Sequence, residues 1–128
     1  MTEMIEKSIV PILKKSLENE NFRDTVITGK MCQVVLMTLQ PGEEIGSEVH
    51  EDHDQILVLT EGNGQAVLEG QAREVGTNDL IFVHAGVEHN FINTGGRPLK
   101  LYTVYAPPEH ADGTRHATKA EADQAEAH

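Results

Sequence analysis

Short apolar stretches separated by turn residues dominate the chain from Val26 to Tyr105. The stretches VIT, QVVLMTLQ, ILVLT, QAVLEG, DLIFV, NFIN and LKLYTVY are divided by PGEEIG, EGNG, EGQ, VGTN, HAG and NTGGRP. Each divider supplies Gly, Pro or Asn where a tight turn needs a fixed or positive φ. Many short strands with this punctuation predict an all-β sandwich or barrel. Ahead of them, MIEKSIVPILKKSL has mixed periodicity and carries Pro11 in its middle, which disfavours a long helix. It is expected to be an extended or irregular lead segment that packs on the barrel or on a partner subunit. Residues 18–25 are polar and are expected to form a loop. The tail ATKAEADQAEA is rich in Ala and acids with little to bury, which predicts a frayed helix or disorder. The expected organisation is an N-terminal extension over 1–25, one β domain over 26–106, and a partly disordered C-terminal segment over 107–128.

Composition narrows the function classes. A length of 128 residues suits one domain, and the net charge of -11 repels phosphate backbones and anionic membranes. No nucleic-acid or membrane partner is expected. The apolar run Val34 to Met37 is too short to span a bilayer, and the amino terminus lacks the apolar core of a signal peptide. With Cys32 as the single cysteine, no intrachain disulfide can form, and a cytoplasmic setting is expected. Cys32 lies in MCQVVLMTL, an apolar run that contains no basic residue, so a buried, inert thiol is expected.

Candidate chemistry concentrates in GSEVHEDHDQILVLTEGNG, residues 46–64. Glu48 and His50 are two apart, so on extended chain they project to one side while Val49 projects to the other. On the following strand Gln55, Leu57 and Leu59 share a face, with Ile56 and Val58 opposite. A hairpin would aim Glu48, His50 and Gln55 into one interior. The later stretch HNFIN begins with His89 and places Phe91 and Asn93 on the same side. Glu48, His50, Gln55 and His89 together make a nitrogen and oxygen donor set without thiolate, suited to Fe, Mn, Ni, Cu or Zn. His53 is an alternative to Gln55, although it falls in the turn. His84 reads as a rim residue, and Glu51, Asp52 and Asp54 as solvated turn charges. His110, His116 and His128 read as exposed, with YAPPEHADGTRH stiffened by Pro107 and Pro108 and long enough to fold over a barrel opening.

These residues resemble the two motifs of the cupins, G-x5-H-x-H-x3-4-E-x6-G and G-x5-P-x-G-x2-H-x3-N. The first aligns as Gly42, Glu48-Val49-His50, Gln55 and Gly62; the second as Asn78, His84-Ala85-Gly86, His89 and Asn93, with every spacing kept. The first motif histidine is Glu48 here and its glutamate is Gln55, so the carboxylate has changed places and the charge of the donor set stays the same. A neutral Gln oxygen is a weak ligand, which implies lower affinity or a harder metal. The second motif's glycine is Asn78 and its proline is His84. The E-V-H-x4-Q pattern is similar to small single-domain microbial cupins loosely described as mannose-6-phosphate isomerase-like.

The resemblance implies a double-stranded β-helix (jelly-roll) barrel holding one divalent transition metal (Mn, Fe, Ni or Zn) on Glu48, His50, Gln55 and His89. Four protein ligands on a six-coordinate ion leave about two positions for a small molecule or O2. The expected activity is that of a metal-dependent isomerase or oxygenase acting on a small polar metabolite such as a sugar or keto acid. The alternative is a non-catalytic binding or sensing protein with a structural metal or none. The fold does not choose between them. Apolar side chains among residues 2–25, including Ile5, Ile9, Val10, Ile12, Leu13 and Phe22, lead to the expectation of a homodimer.

Overall fold

The structure is a computed structural model and describes residues 2–126. Its elements in chain order are α1 (Thr2–Ser8), α2 (Ile12–Glu18), β1 (Arg23–Thr28), β2 (Gln33–Leu39), β3 (Asp54–Glu61), β4 (Asn63–Leu68), β5 (Gln71–Gly76), β6 (Leu80–Val83), β7 (His89–Ile92), β8 (Leu99–Ala106), β9 (Arg115–His116) and α3 (Lys119–Glu126). Two sheets result: a six-stranded one in the order β6-β3-β8-β2-β1-β9 and a three-stranded one in the order β5-β4-β7. Bridges from Glu44 to Ile92 and from Glu48 to His89 lay residues 44–48 along the free side of β7. The all-β jelly-roll expectation holds. No helix among the described residues is long and apolar enough to cross a membrane.

Period-two alternation decides what lies between the sheets. Val35, Met37 and Leu39 of β2, Leu57 and Leu59 of β3, and Leu99 and Leu101 of β8 form one core with Ala66 of β4 and Phe91 of β7. Register links the strands into layers: Gln33 and Gln55 both face Tyr105, Val35 and Leu57 face Thr103, and Met37 and Leu59 face Leu101. The layers nearer Leu101 are apolar. The layer of Gln33, Tyr105 and Gln55 is the polar end of the same interior.

Several local expectations are corrected. The lead segment is neither extended nor irregular: Pro11 separates two short helices instead of abolishing them. It stands at the N-cap of α2, where a residue without an N–H costs no intrahelical bond. The second helix packs on the chain's own six-stranded sheet. Ser16 is fully buried and its Oγ lies 2.6 Å from Thr60 Oγ1; the Thr38 hydroxyl donates to the Asn19 carbonyl at 2.8 Å, and the buried Lys100 ammonium donates to the same oxygen. β5 was not foreseen because most of its side chains are exposed, so no apolar alternation marks it. It forms through a two-residue turn in which Glu69 (φ 49°) and Gly70 (φ 76°) adopt the left-handed conformations of a type I′ hairpin. Cys32 is exposed, not buried, because it belongs to the turn before β2, where its carbonyl accepts from the Gly29 N–H at 2.8 Å. The tail takes the helical one of its two expected forms, as α3, with Ala122 buried.

Asn78 explains its own departure from the motif. Its φ is 76°, so the position requires the left-handed region in which glycine is easiest and Asn the best-tolerated alternative.

Candidate metal centre

Glu48 and His89 meet first through their backbones. Each N–H donates to the other's carbonyl at 2.9 Å, so the two side chains leave neighbouring strands side by side. His50 follows two residues later on the same side, while Val49 between them is 44 % exposed. The Glu48 and His50 side chains are joined at 2.8 Å between Oε2 and Nε2. One ligand atom each from Glu48, His50 and His89 lies within 4.8 Å of the others, a spacing at which one ion can touch all three. The His89 Nδ1–H donates to the Val87 carbonyl at 2.8 Å, which leaves Nε2 with a free lone pair.

Gln55 comes from the other sheet. The hairpin expected between residues 48 and 55 is in fact a crossing: residues 44–48 lie beside β7, and β3 lies between β6 and β8. Gln55 is 3 % exposed on the inner face, opposite Tyr105, whose ring is 6.2 Å from that of His50. Its Nε2 donates to Thr103 Oγ1 at 3.0 Å, and Thr103 Oγ1 donates onward to the Ile56 carbonyl at 2.9 Å. That chain fixes the amide orientation and leaves the buried Oε1 without a partner. An unpartnered buried acceptor costs about 1–3 kcal/mol. A cation beside it would satisfy it, and Glu48, His50 and His89 form the group whose spacing suits an ion.

Electrostatics support the same centre. The hydrogen bond to Glu48 holds the His50 pKa above its ordinary value despite burial, with the charges of Glu48, Glu109 and Asp52 adding to it. Burial pushes the Glu48 carboxyl up, but the His50 hydrogen bond and the charges of His50, His89 and Arg23 outweigh it and bring the pKa below normal. The two side chains therefore share a proton that a metal would displace.

The remaining candidates divide clearly. His53 sits at the mouth, its ring 5.7 Å from that of His50, with Nδ1 2.9 Å from Asp52 and Nε2 3.2 Å from Glu109. It joins a second group, His50 with His53 and Glu109, rather than the one containing His89. His84 is exposed against Phe82, as expected for a rim residue. Asn93 is 1 % exposed and its amide is used up on Leu39, Gly95 and Arg97, so it holds the turn after β7.

Residues 107–116 bring in side chains that were not foreseen. Gln33, fully buried at the start of β2, accepts from the Glu109 and His110 N–H groups at 3.2 and 3.0 Å and donates to the His110 carbonyl at 2.8 Å. That clamp sets the Glu109 carboxylate 3.8 Å from His50 Nδ1. It also turns His110 inward, 5.3 Å from the Tyr105 ring, against the expectation of an exposed histidine. Burial, with the Arg23 charge, lowers the His110 pKa to about 4. His116 is half-buried rather than exposed, with Nδ1 3.1 Å from Arg23 Nη1. His128 lies outside the described residues. The only early signals were a polar Gln33 inside an apolar strand and the two prolines preceding Glu109.

Comparison with known proteins agrees with the fold. Residues 35–105 match the family model of the Cupin domain. YrkC of Bacillus subtilis is 46 % identical over 125 residues, covering 92 % of this chain and 67 % of YrkC. The mannose-1-phosphate guanylyltransferase ManC of Salmonella typhimurium is 28 % identical over 81 residues, but these are 63 % of this chain and 17 % of ManC. Among solved structures, BH2720 from Bacillus halodurans superposes with a TM-score of 0.89 at 43 % identity, covering 91 % of this chain and 92 % of that one.

Proposed function

The chain belongs to the cupin family, and on that premise we propose that Glu48, His50, Gln55 and His89 hold one divalent transition metal, Mn, Fe, Ni or Zn. The protein then acts on a small polar metabolite as an isomerase or oxygenase. The observation that carries this reading is the meeting of Glu48, His50 and His89 ligand atoms within 4.8 Å. A bound divalent ion polarises a carbonyl or orients a diol. The protein's own contributions are the Glu48 carboxylate, which can accept a proton from a bound molecule, and the His50 imidazole beside it, which can hold that proton. The guanylyltransferase activity in ManC's name belongs to a much longer protein and supplies no substrate here.

The test is metal analysis of protein purified from cells supplied with mixed metals, repeated after chelation and reloading. Close to one divalent ion per chain is expected. No ion near stoichiometry in either preparation would sink the metal reading and favour a metal-free binding protein.

A homodimer is proposed on separate grounds. Ile5, Ile9, Leu13 and Leu17 of the N-terminal helical segment are exposed, as are Leu80 and Phe82 on the edge strand β6. Exposed apolar side chains beside an open strand edge favour association. Sedimentation at micromolar concentration should give twice the chain mass, and a purely monomeric species counts against the dimer.

A further inference from the structure

The described residues leave four buried side-chain polar atoms without a hydrogen-bond partner: Arg23 Nε, Thr25 Oγ1, Gln55 Oε1 and His110 Nε2. Their distribution is not scattered. Arg23 and Thr25 face Met37 and Val35 across the β1–β2 ladder, and both of those partners are fully buried core residues, so Arg23 and Thr25 point inward. Gln55 faces Tyr105, and the Tyr105 ring touches the rings of both His50 and His110. Arg23 stands close enough for its charge to act on both Glu48 and His110. Gln55 Oε1 is accounted for by the proposed metal. The other three are not.

Arg23 is the most informative of them. It is 3 % exposed, and its contacts are His116 Nδ1 at 3.1 Å and the Phe22 ring at 5.3 Å. No carboxylate of the described residues forms an ion pair with it. A buried guanidinium without a direct ion pair is unfavourable, and its fork of N–H groups matches a carboxylate. The Thr25 hydroxyl adds a donor, and the His110 imidazole adds another in its Nε2–H tautomer. The charges also limit what fits. With a divalent ion bound, the ion, Arg23, Glu48 and Glu109 sum to one net positive charge, which suits a monoanion better than a phosphate dianion, and a neutral sugar would leave the guanidinium without an ion pair.

We propose that Arg23, Thr25 and His110 form a carboxylate-binding subsite beside the Glu48–His50–His89 cluster, so that the ligand of this protein is a small carboxylic acid. This deepens the metal-site reading and rests on it for the statement that the ligand's other end meets the cluster. The ligand's carboxylate supplies the direct ion pair that Arg23 lacks, and the ligand's length sets which of its atoms reach Glu48 and His50.

The test uses the full chain loaded with Mn2+, with Mn2+ binding followed by electron paramagnetic resonance on the same samples. Pyruvate, lactate, glyoxylate and oxalate are titrated against their amides and inorganic phosphate by calorimetry. The Arg23 Nε–H nuclear magnetic resonance signal is followed in chelated, metal-free samples. At least one acid should bind ten-fold or more tighter than its amide, tighter than phosphate, and should shift the Arg23 signal. Arg23→Gln should remove that preference, and Thr25→Val should weaken the acid at least three-fold while leaving Mn2+ affinity unchanged. Thr25→Val keeps the test decisive if Arg23→Gln does not fold. Equal binding of every acid and its amide, tighter binding of phosphate, or no effect of Thr25→Val overturns the subsite. Loss of Mn2+ binding with the acid preference intact overturns the metal reading alone.

Discussion

Alanine at Glu48 is expected to weaken Mn2+ binding by more than about 100-fold, beyond the range of about 10–100-fold typical when only an outer-shell partner is lost. Glu48 supplies the one carboxylate among the four proposed ligands, and its lowered pKa keeps it ionised and ready to bind. The fold should tolerate the change, because Glu48 joins His89 through backbone hydrogen bonds that alanine retains. A wild-type chain saturated at 100 times its Kd should gain about 2.7 kcal/mol of apparent stability, and Glu48→Ala almost none. Calorimetric titration and thermal unfolding with and without Mn2+ measure both effects. Unchanged affinity would move the metal to the other group, His50 with His53 and Glu109.

The same variant has a pH signature. In the metal-free protein the raised His50 pKa means that the folded state holds a proton the unfolded chain has begun to lose. That contribution is fully present below the unfolded pKa of 6.5 and disappears as pH rises through the folded value. The lowered Glu48 pKa works from the other side: its contribution is present above 4.5 and is lost as pH falls through the folded value. Glu48→Ala should flatten both limbs. In the wild type, metal affinity should fall as pH drops through the His50 pKa, because the ion must displace that proton. If turnover is found, its loss in Glu48→Ala marks an enzyme, whereas weaker ligand binding alone marks a binding protein.

Alanine at Gly64 should cost more than about 3 kcal/mol, above the usual overpacking range of about 1–3 kcal/mol. A Cβ there would lie 2.3 Å from the Ile92 carbonyl oxygen and 3.2 Å from Leu99 Cδ2. The first obstacle is backbone, so no side-chain rotation relieves it; β4 and β7 must separate. Gly64 precedes the pair of Gln65 with Ile92, and β7 begins with His89. The variant should therefore lose metal affinity as well as stability. Gly96→Ala is the control, since a Cβ there meets nothing within 4 Å; it should stay within about 0.5 kcal/mol of wild type. Urea unfolding compares the variants, and an unchanged midpoint for Gly64→Ala would refute the steric argument.

How much of the centre was legible follows from the range of each signal. Glu48, His50 and His89 were legible because alternation sorts neighbours by side and motif spacing carries the second histidine to the first pair. The face of Gln55 was legible too, but its place on the opposing sheet was not, because Glu51 and Asp52 read equally well as a hairpin turn or as a crossing. The two N-terminal helices were missed because mixed periodicity around Pro11 does not distinguish irregular chain from two helices each about two turns long.

By itself the sequence determined the all-β class, most of the strands, their inward faces and three clustered ligand candidates. All of these follow from period-two patterning, turn chemistry or short fixed spacings. Only the tertiary structure decided that Arg23 is buried near Glu48 without a direct ion pair, and that Gln33 clamps Glu109 and His110 beside the centre. Those placements depend on hydrogen bonds such as that from His110 to Gln33, across a separation of 77 residues. No local periodicity encodes such a contact. It exists only once the hydrophobic core has brought the strands together.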